Sequence, residues 1–287
     1  MDFQSIALPT ELYHQPNLVA QIYQLFSILE KKYRFIFTYI IFTRMNIDNH
    51  VLAIDSGNTS IKVGWFINGR LKTVETFNLN FLIPLEDWLK NHTKYNAIMS
   101  SVLSDEDTKK VIDLLDNCHL ITSDTELPIK LDYETKHTLG IDRVCNAVYS
   151  VSHSKTDYCV TVDIGTCVKF DLTGPDKHYI GGSISPGVQL RYKSLNDYTG
   201  KLPLISNKSR ANLVGTDTAS CIHSGVMNGL RAEITMMMQE YRAEFPSLTF
   251  FMTGGDASNF DLVSKNDIFA DENLTLKGLH EIYKHNA

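Results

Sequence analysis

Nowhere in the 287 residues is there a Cys-x-x-Cys pair, a Gly-x-x-x-x-Gly-Lys-[Ser/Thr] loop, or a Gly-x-Gly-x-x-Gly turn after a strand-like run. Each absence excludes something. The cysteines, Cys118, Cys145, Cys159, Cys167 and Cys221, are odd in number and widely spaced. A disulfide framework or a zinc site is therefore not expected, and a reducing cytoplasm suits the chain. With neither standard phosphate loop, a nucleotide site would have to be built another way. There is no basic block and no aromatic-rich basic stripe. The 27 Lys and Arg are outnumbered by 33 Asp and Glu for a net charge of -6, which disfavours a nucleic-acid partner. No apolar run reaches the roughly 20 residues that cross a bilayer. The candidate "FIFTYIIFT", Phe35 to Thr43, is far shorter and follows a long polar stretch, so neither a membrane span nor a secretion signal is expected. The histidines show no metal-ligand spacing. The sequon Asn58-Thr59-Ser60, lacking a secretion signal, reads as chance.

What is present is ordinary in bulk and unusual in pattern. Hydrophobic content of 43% and charged content of 21% are those of a globular protein long enough for two domains. Residues 1–45 read as an N-terminal extension, because Met45 opens "MNIDNHVLAIDSGNT" in the manner of a natural start. The alternative is a real helix, "LVAQIYQLFSILEKKY", that docks on the body. Residues 46–157 and 158–287 then form two lobes.

The first lobe opens with an apolar run, Val51 to Ile54, that breaks into Asp55-Ser56-Gly57-Asn58-Thr59 and returns to strand with Ile61, Val63 and Trp65 alternating. Asn68-Gly69 is a strong hairpin signal, followed by the strand "RLKTVETF". Residues 105–117 suit an acid-started helix with Val111, Ile112, Leu114 and Leu115 inward. The opening pattern recurs over 158–182: apolar strand, Asp163-Ile164-Gly165-Thr166, strand, a turn at Gly174-Pro175-Asp176, strand. Thr59 aligns with Thr166 if Asn58 is a one-residue insertion, and Lys62 and Lys169 each follow the threonine by three. This internal repeat predicts two similar lobes of mixed α/β structure. Residues 216–245 predict a long helix capped by Asp217 or Thr216, with Ala219, Ile222, Val226, Leu230 and Ile234 facing inward. Gly225 and Gly229, one turn apart, suggest close backbone packing there. The Met236-Met237-Met238 run reads as helix packing. "LTFFMTGGDA", 248–257, predicts a buried strand, a double-glycine turn and a further helix.

Two Asp-x-Gly corners have a use beyond turning. Glycine lets a ligand approach the backbone, and the N–H groups of such a turn converge on one small space suited to phosphate oxygens. Lys62 adds positive charge within reach. Asp55 is out of place beside an anion unless a cation such as Mg²⁺ accompanies it. Plain turn formation by Asp and Asn is the alternative. In "TLGIDRVCNAVYSV", 138–151, Asp142 sits where a helix begins. It would be either an N-cap or a carboxylate at the positive helix end that accepts a proton from a substrate hydroxyl. Arg143 would bind a substrate carboxylate.

Together these stretches resemble the type III pantothenate kinases of the acetate and sugar kinase, Hsp70 and actin superfamily, from about Asn46 onward. "AIDSGNTSIKVG" resembles the first phosphate motif, "GIDR" the Gly-x-Asp-Arg, and "VDIGTCVKFD" the second phosphate motif. "GGSISPGVQL", "TGKLP", "GTDTASCIHSG" and "TGGDA" follow in the family's order. The resemblance implies a ribonuclease-H-like (actin/Hsp70-type ATPase) α/β fold of two lobes, each a mixed five-stranded sheet flanked by helices. It implies a cytoplasmic homodimer with the substrate pocket at the interface, and ATP-dependent phosphorylation of pantothenate, the first step to coenzyme A. Asp142 would be the base. Asp55, Ser56, Gly57, Asn58, Thr59, Ser60, Ile61, Lys62 and Thr166 would bind ATP, with Mg²⁺ held by Asp55 through water. Asp163 would bind K⁺ or NH₄⁺, and Tyr133, Gly140, Ile141, Asp142, Arg143 and Thr218 would bind pantothenate. Asp217 stands where the family commonly has Asn; it would lie near an anionic substrate or point away as a helix cap. The other readings are a superfamily kinase with a different small-molecule substrate, and a non-catalytic regulatory relative.

Overall fold

The structure, a computed structural model, describes residues 50–57, 60–78, 82–92, 94–260 and 267–287. The expectations for residues 1–45, and the parts assigned to Asn58 and Thr59, lie outside the described residues. Alternating apolar residues make the first hairpins. β1 (His50–Ser56) pairs antiparallel with β2 (Ser60–Ile67), and β2 with β3 (Arg70–Asn78). Asn68 and Gly69 join β2 to β3 with φ of 51° and 73°. Both are positive, as the type I′ turn that suits strand twist requires. After α1 (Leu82–Leu89), β4 (Asn96–Ser101) lies parallel beside β1. In α2 (Asp105–Ile112) Ser104 caps the start by accepting from the Asp107 N–H, and Asp105, Glu106 and Asp107 stand at the positive helix end. The helix stops at Ile112, short of the expected 117, and Leu115 is buried from the turn beyond it. β5 (Cys118–Leu120) completes a sheet of order β3-β2-β1-β4-β5.

The next stretch adds β6 (Lys130–Leu131) and α3 (Ile141–His153), and then the pattern repeats. β7 (Tyr158–Ile164), β8 (Cys167–Gly174) and β9 (His178–Pro186) form an antiparallel meander. α4 (Val188–Asp197) and α5 (Thr218–Glu244) follow. β10 (Leu248–Thr253) and β11 (Ile268–Ala270) add parallel strands on the far side of β7. The second sheet is β11-β10-β7-β8-β9-β6, so its first five members reproduce the order of the first sheet. Its sixth strand is a departure from the five expected. Only Lys130 and Leu131 join the β9 edge, through a tertiary contact that no local pattern announces. α6 (Leu274–Asn286) ends the chain.

Apolar faces stack these parts in layers. One core, with Leu52, Ile54, Val63, Leu85 and Val111, fills the side of the first sheet under α1 and α2. A second, with Val51, Ala53, Val144, Ala147, Val148, Tyr179, Leu276 and Leu279, packs α3 and α6 between the sheets. A third, with Val160, Phe170, Tyr192, Ile222, Leu230 and Ile234, seats α4 and α5 on the second sheet. At Gly278 a Cβ would come within 2.0 Å of the Cys145 carbonyl oxygen, so α3 and α6 meet backbone to backbone. Gly225 and Gly229 do not behave as expected: nothing among the described residues lies within 4 Å of a Cβ built there. Ala219 is exposed rather than inward. Met238 is buried and Met237 packs on the core, while Met236 is exposed. After the double glycine, Ala257–Asn259 makes only one 3₁₀ turn before residues outside the described set. Among the described residues no helix is long and apolar enough to cross a membrane.

Candidate active site

The two Asp-x-Gly corners occupy equivalent places in the two sheets. In the first, Asp55 pairs across the hairpin with Lys62; in the second, Asp163 pairs with Lys169. The last paired residues are Ser56–Ile61 in one and Ile164–Val168 in the other, so the first loop is one residue longer, as an insertion at Asn58 requires. Each turn closes with a glycine N–H donating to a backbone carbonyl, Gly57 to Ser60 at 3.0 Å and Gly165 to Cys167 at 3.0 Å. The second turn is braced from below. Gly187 donates to the Thr166 carbonyl at 3.0 Å, and a Cβ at Gly187 would lie 2.2 Å from the Gly165 oxygen. Thr166 is left exposed at the tip.

Three aspartates converge here. Asp142 is not the cap of α3: Gly140 holds that position and Ile141, half-buried, is the first helical residue. Asp142 therefore sits in the first turn, its Oδ1 accepting from the Arg143 N–H at 2.9 Å. A Cβ on Gly140 would come within 2.5 Å of that same oxygen, so a side chain there would push the carboxylate from this place. The Lys169 Nζ lies 2.6 Å from Asp142 Oδ2 and 2.7 Å from Asp163 Oδ2, with its side chain 16% exposed. Asp55 accepts from the Ser100 hydroxyl at 2.9 Å, supplied by the neighbouring strand β4. Burial raises the Asp55 carboxyl above its ordinary value; Ser100 opposes the rise, while the charges of Asp142 and Asp163 add to it. Burial likewise raises Asp163, against the pull of Lys169. On Lys169 burial works against the charge, but Asp163 and Asp142 outweigh it and the ammonium is held above its ordinary value.

Arg143, expected to bind a substrate carboxylate, is already paired within the chain. It is 6% exposed, with Nε 2.8 Å and Nη2 2.7 Å from Asp171 Oδ1. Asp171 also accepts from the Tyr179 hydroxyl at 2.6 Å. Tyr133 lies against this group, its ring centroid 5.8 Å from the Arg143 guanidinium carbon. Burial disfavours the Arg143 charge, yet the hydrogen bond and charge of Asp171 raise its proton affinity overall.

On the other side, Lys62 reaches away from Asp55 and donates to the Glu272 carbonyl at 2.8 Å. Glu272, Asp271, Gly254, Gly255, Ser258 and Phe260 are among the walls of a cavity of about 480 Å³. Gly254 has φ of 98°, and a Cβ there would lie 2.4 Å from the Ile164 oxygen and 2.6 Å from Asp163 Oδ1. The cavity therefore begins where the Asp163 corner ends. Asp256, just beyond, ion-pairs with Lys208 at 2.6 Å.

Of the expected residues, Asp55, Asp142, Asp163, Tyr133, Gly140 and Arg143 are thus gathered by direct contacts or mutual charge. Ile61 is fully buried, and the buried Ser56 hydroxyl has no hydrogen-bond partner among the described residues. Thr218 opens α5, and no hydrogen bond or ion pair joins it to the aspartate cluster among the described residues. Asp217 points into its own helix as a cap, accepting from Ser220 while Ser220 answers in kind. Lys169 carries a role the sequence reading did not give it. The signal was there, since Lys169 holds the register of Lys62 in the repeat. Ser100, Asp171 and Tyr179 left no local signal, because their partners are distant in sequence.

The profile of the family described as type III pantothenate kinase matches residues 51–240. A type III pantothenate kinase of Christiangramia forsetii is 38% identical over 245 residues, covering 82% of this chain and 98% of the relative. That of Cytophaga hutchinsonii is 34% identical, covering 82% of this chain and 99% of the relative. Among solved structures, a Campylobacter jejuni protein assigned to the Baf family of transcriptional activators matches with a TM-score of 0.55 and 19% identity. It covers 82% of this chain and 98% of that one, and at this identity the likeness speaks for the fold alone.

Proposed function

This chain belongs to the type III pantothenate kinase family, and from that membership we propose how its own residues do the work. The protein transfers the terminal phosphoryl group of ATP to the primary hydroxyl of pantothenate, the first step toward coenzyme A. The observation that carries the assignment of roles is the convergence of Asp55, Asp142 and Asp163, with Lys169 bridging the last two.

Phosphoryl transfer needs in-line placement and neutralised charge more than covalent chemistry. Asp142 is the base: its Oδ1 is fixed by the Arg143 N–H and its Oδ2 by Lys169, so the carboxylate is aimed before substrate arrives. It takes the proton of the pantothenate hydroxyl as the oxygen attacks. The backbone N–H groups of the two glycine corners, Thr166 and Lys62 line the triphosphate, and Asn58 and Thr59 are assigned to ATP with them. The cavity bounded by Gly254, Gly255 and Phe260 takes the adenosine, and its rim at Glu272 is tied to Lys62. Tyr133, Gly140, Ile141 and Arg143 wall the pantothenate side, Arg143 acting from its fixed place beside Tyr133 and Asp171.

Mg²⁺ fits the donors present. Asp55 is a hard oxygen ligand whose own negative charge is disfavoured by burial and by two neighbouring carboxylates, the environment a dication relieves. Bound with ATP, it would be held by Asp55 through water and would neutralise phosphate charge. The monovalent cation expected at Asp163 does not fit in the same way, because the Lys169 ammonium already lies against that carboxylate. A homodimer is supported by the exposed apolar side chains Ile180 and Ile184 on β9 and Met236 on α5, and by the open glycines of α5. Five free cysteines support a reducing compartment such as the cytoplasm.

Direct chromatographic measurement of ADP and phosphopantothenate tests the reading. Turnover should require pantothenate, and Asp142→Asn should lower kcat by about 10²–10⁴-fold while leaving ATP binding in place. ADP release indifferent to pantothenate, or an active Asp142→Asn variant, would refute the roles given.

A further inference from the structure

Two lysines occupy the same register in the two halves of the repeat, and they do opposite things. Lys62, paired across its hairpin with Asp55, is half-buried and extends to the Glu272 carbonyl. Lys169, paired across its hairpin with Asp163, folds inward between two carboxylates, 2.6 Å from Asp142 Oδ2 and 2.7 Å from Asp163 Oδ2. Those are the lengths of charge-assisted hydrogen bonds. An ammonium in that position is a compact unit charge with donors for both carboxylates. It is also chemically what a bound ammonium ion would be, except that it is attached to β8. With Asp163 only 13% exposed and its Oδ2 already engaged, a second cation would enter beside the first and be repelled by it.

We propose that Lys169 is a tethered monovalent cation: it supplies from within the chain the positive charge at Asp163 that the family resemblance assigns to K⁺ or NH₄⁺. Through its second carboxylate contact it also positions Asp142. The inference rests on the pantothenate kinase reading and predicts that this enzyme works without either ion. Lys169 touches Asp142 rather than the substrate, so it is a positioning residue and the cation it replaces is its signature. Removing the ammonium while keeping the stem, as in Lys169→Met, should reopen a site for a free ion.

The test uses the full chain in sodium buffer free of K⁺ and NH₄⁺, with product read directly so that no ion-dependent coupling enzyme intervenes. Wild-type turnover should change by less than about two-fold when KCl or NH₄Cl replaces NaCl at equal ionic strength. Lys169→Met should lose at least about ten-fold in kcat without those ions and recover much of it when either is added. Thermal unfolding gives a readout independent of turnover. KCl should raise the melting temperature of Lys169→Met above its value in NaCl and should not do so for the wild type. A wild-type enzyme that needs K⁺ or NH₄⁺ overturns the proposal, and so does K⁺-selective stabilisation of the wild type. A Lys169→Met loss that neither ion restores also overturns it. If that variant does not fold, the wild-type arms still decide. If no salt supports pantothenate-dependent turnover, the kinase reading fails instead, and the melting comparison alone judges Lys169.

Discussion

Burial raises the proton affinity of the Asp55 carboxyl, and two nearby carboxylates add to the effect. A group whose folded value is raised stabilises the fold below its ordinary value of 3.8 and loses that contribution as pH rises through the folded value. At neutral pH this carboxyl therefore works against the ligand-free fold. Asp55→Asn should raise the ligand-free melting temperature, by about 2–4 °C for each kcal/mol relieved in a chain of this size, while turnover falls at least about a hundred-fold. A lower melting temperature by differential scanning fluorimetry would contradict this account of the residue. Much at this scale was legible in the sequence, because the chemistry of a carboxylate in a glycine corner is local. Asp55, Asp142 and Asp163 stood out there on that ground, and the fold brings the three together, while their roles stay proposals. The partners that define their environments were not legible: Ser100 meets Asp55 only through parallel strand pairing, and Asp171 meets Arg143 only after α3 has packed on the second sheet. For that reason the sequence offers Arg143 as a ligand for a substrate carboxylate without showing that it is buried and paired with Asp171.

Among the elements, α6 shows most clearly what local pattern leaves out. It comes last in the chain, yet its Leu276 and Leu279 share a core with β1. Its His280 stacks on Phe66 of β2 at 4.2 Å between ring centroids and 5° between planes. Burial lowers that imidazole to about 4, with Lys284 adding to the effect and Glu281 opposing it. Below its ordinary value of 6.5 the unfolded chain takes up a proton that the folded one refuses, so the docking of α6 loses stability as pH falls from 6.5 toward 4. Urea unfolding should show a slope of at most about 1.4 kcal/mol per pH unit from this group over that window, and His280→Leu should flatten it. An unchanged slope in the variant would remove His280 as the cause. The hairpins and long helices were legible because each carries its own period or turn signal. β6 was not, since two residues carry no period, and the open face of Gly225 and Gly229 was read as packing because spacing alone does not say which side a helix turns to its core.

At the scale of the whole molecule, the repeat accounts for the architecture: one strand order twice, with α3 and α6 packed between the sheets and the aspartate cluster at the two hairpin corners. That plan was legible from two matched loops. How copies of the chain meet was not, because an interface leaves only exposed apolar residues, and Ile184 at 58% exposure is unremarkable in a sequence. If the proposed homodimer forms through β9 and α5, Ile180→Glu with Ile184→Glu should shift sedimentation from two copies to one. The single copy should also lose pantothenate turnover by about ten-fold or more, since the pocket is proposed to be completed across that interface. A monomeric variant with full activity would separate the interface from the site.

Position 254 leaves the acid of one loop and the cavity proposed for adenosine with a common partition, too thin for even a methyl group. If that cavity takes the base as proposed, attempts to retune which base is accepted must work from the opposite bank, around Ser258, Phe260 and Ala270, because any enlargement of the shared partition would push on the carboxylate that Lys169 holds.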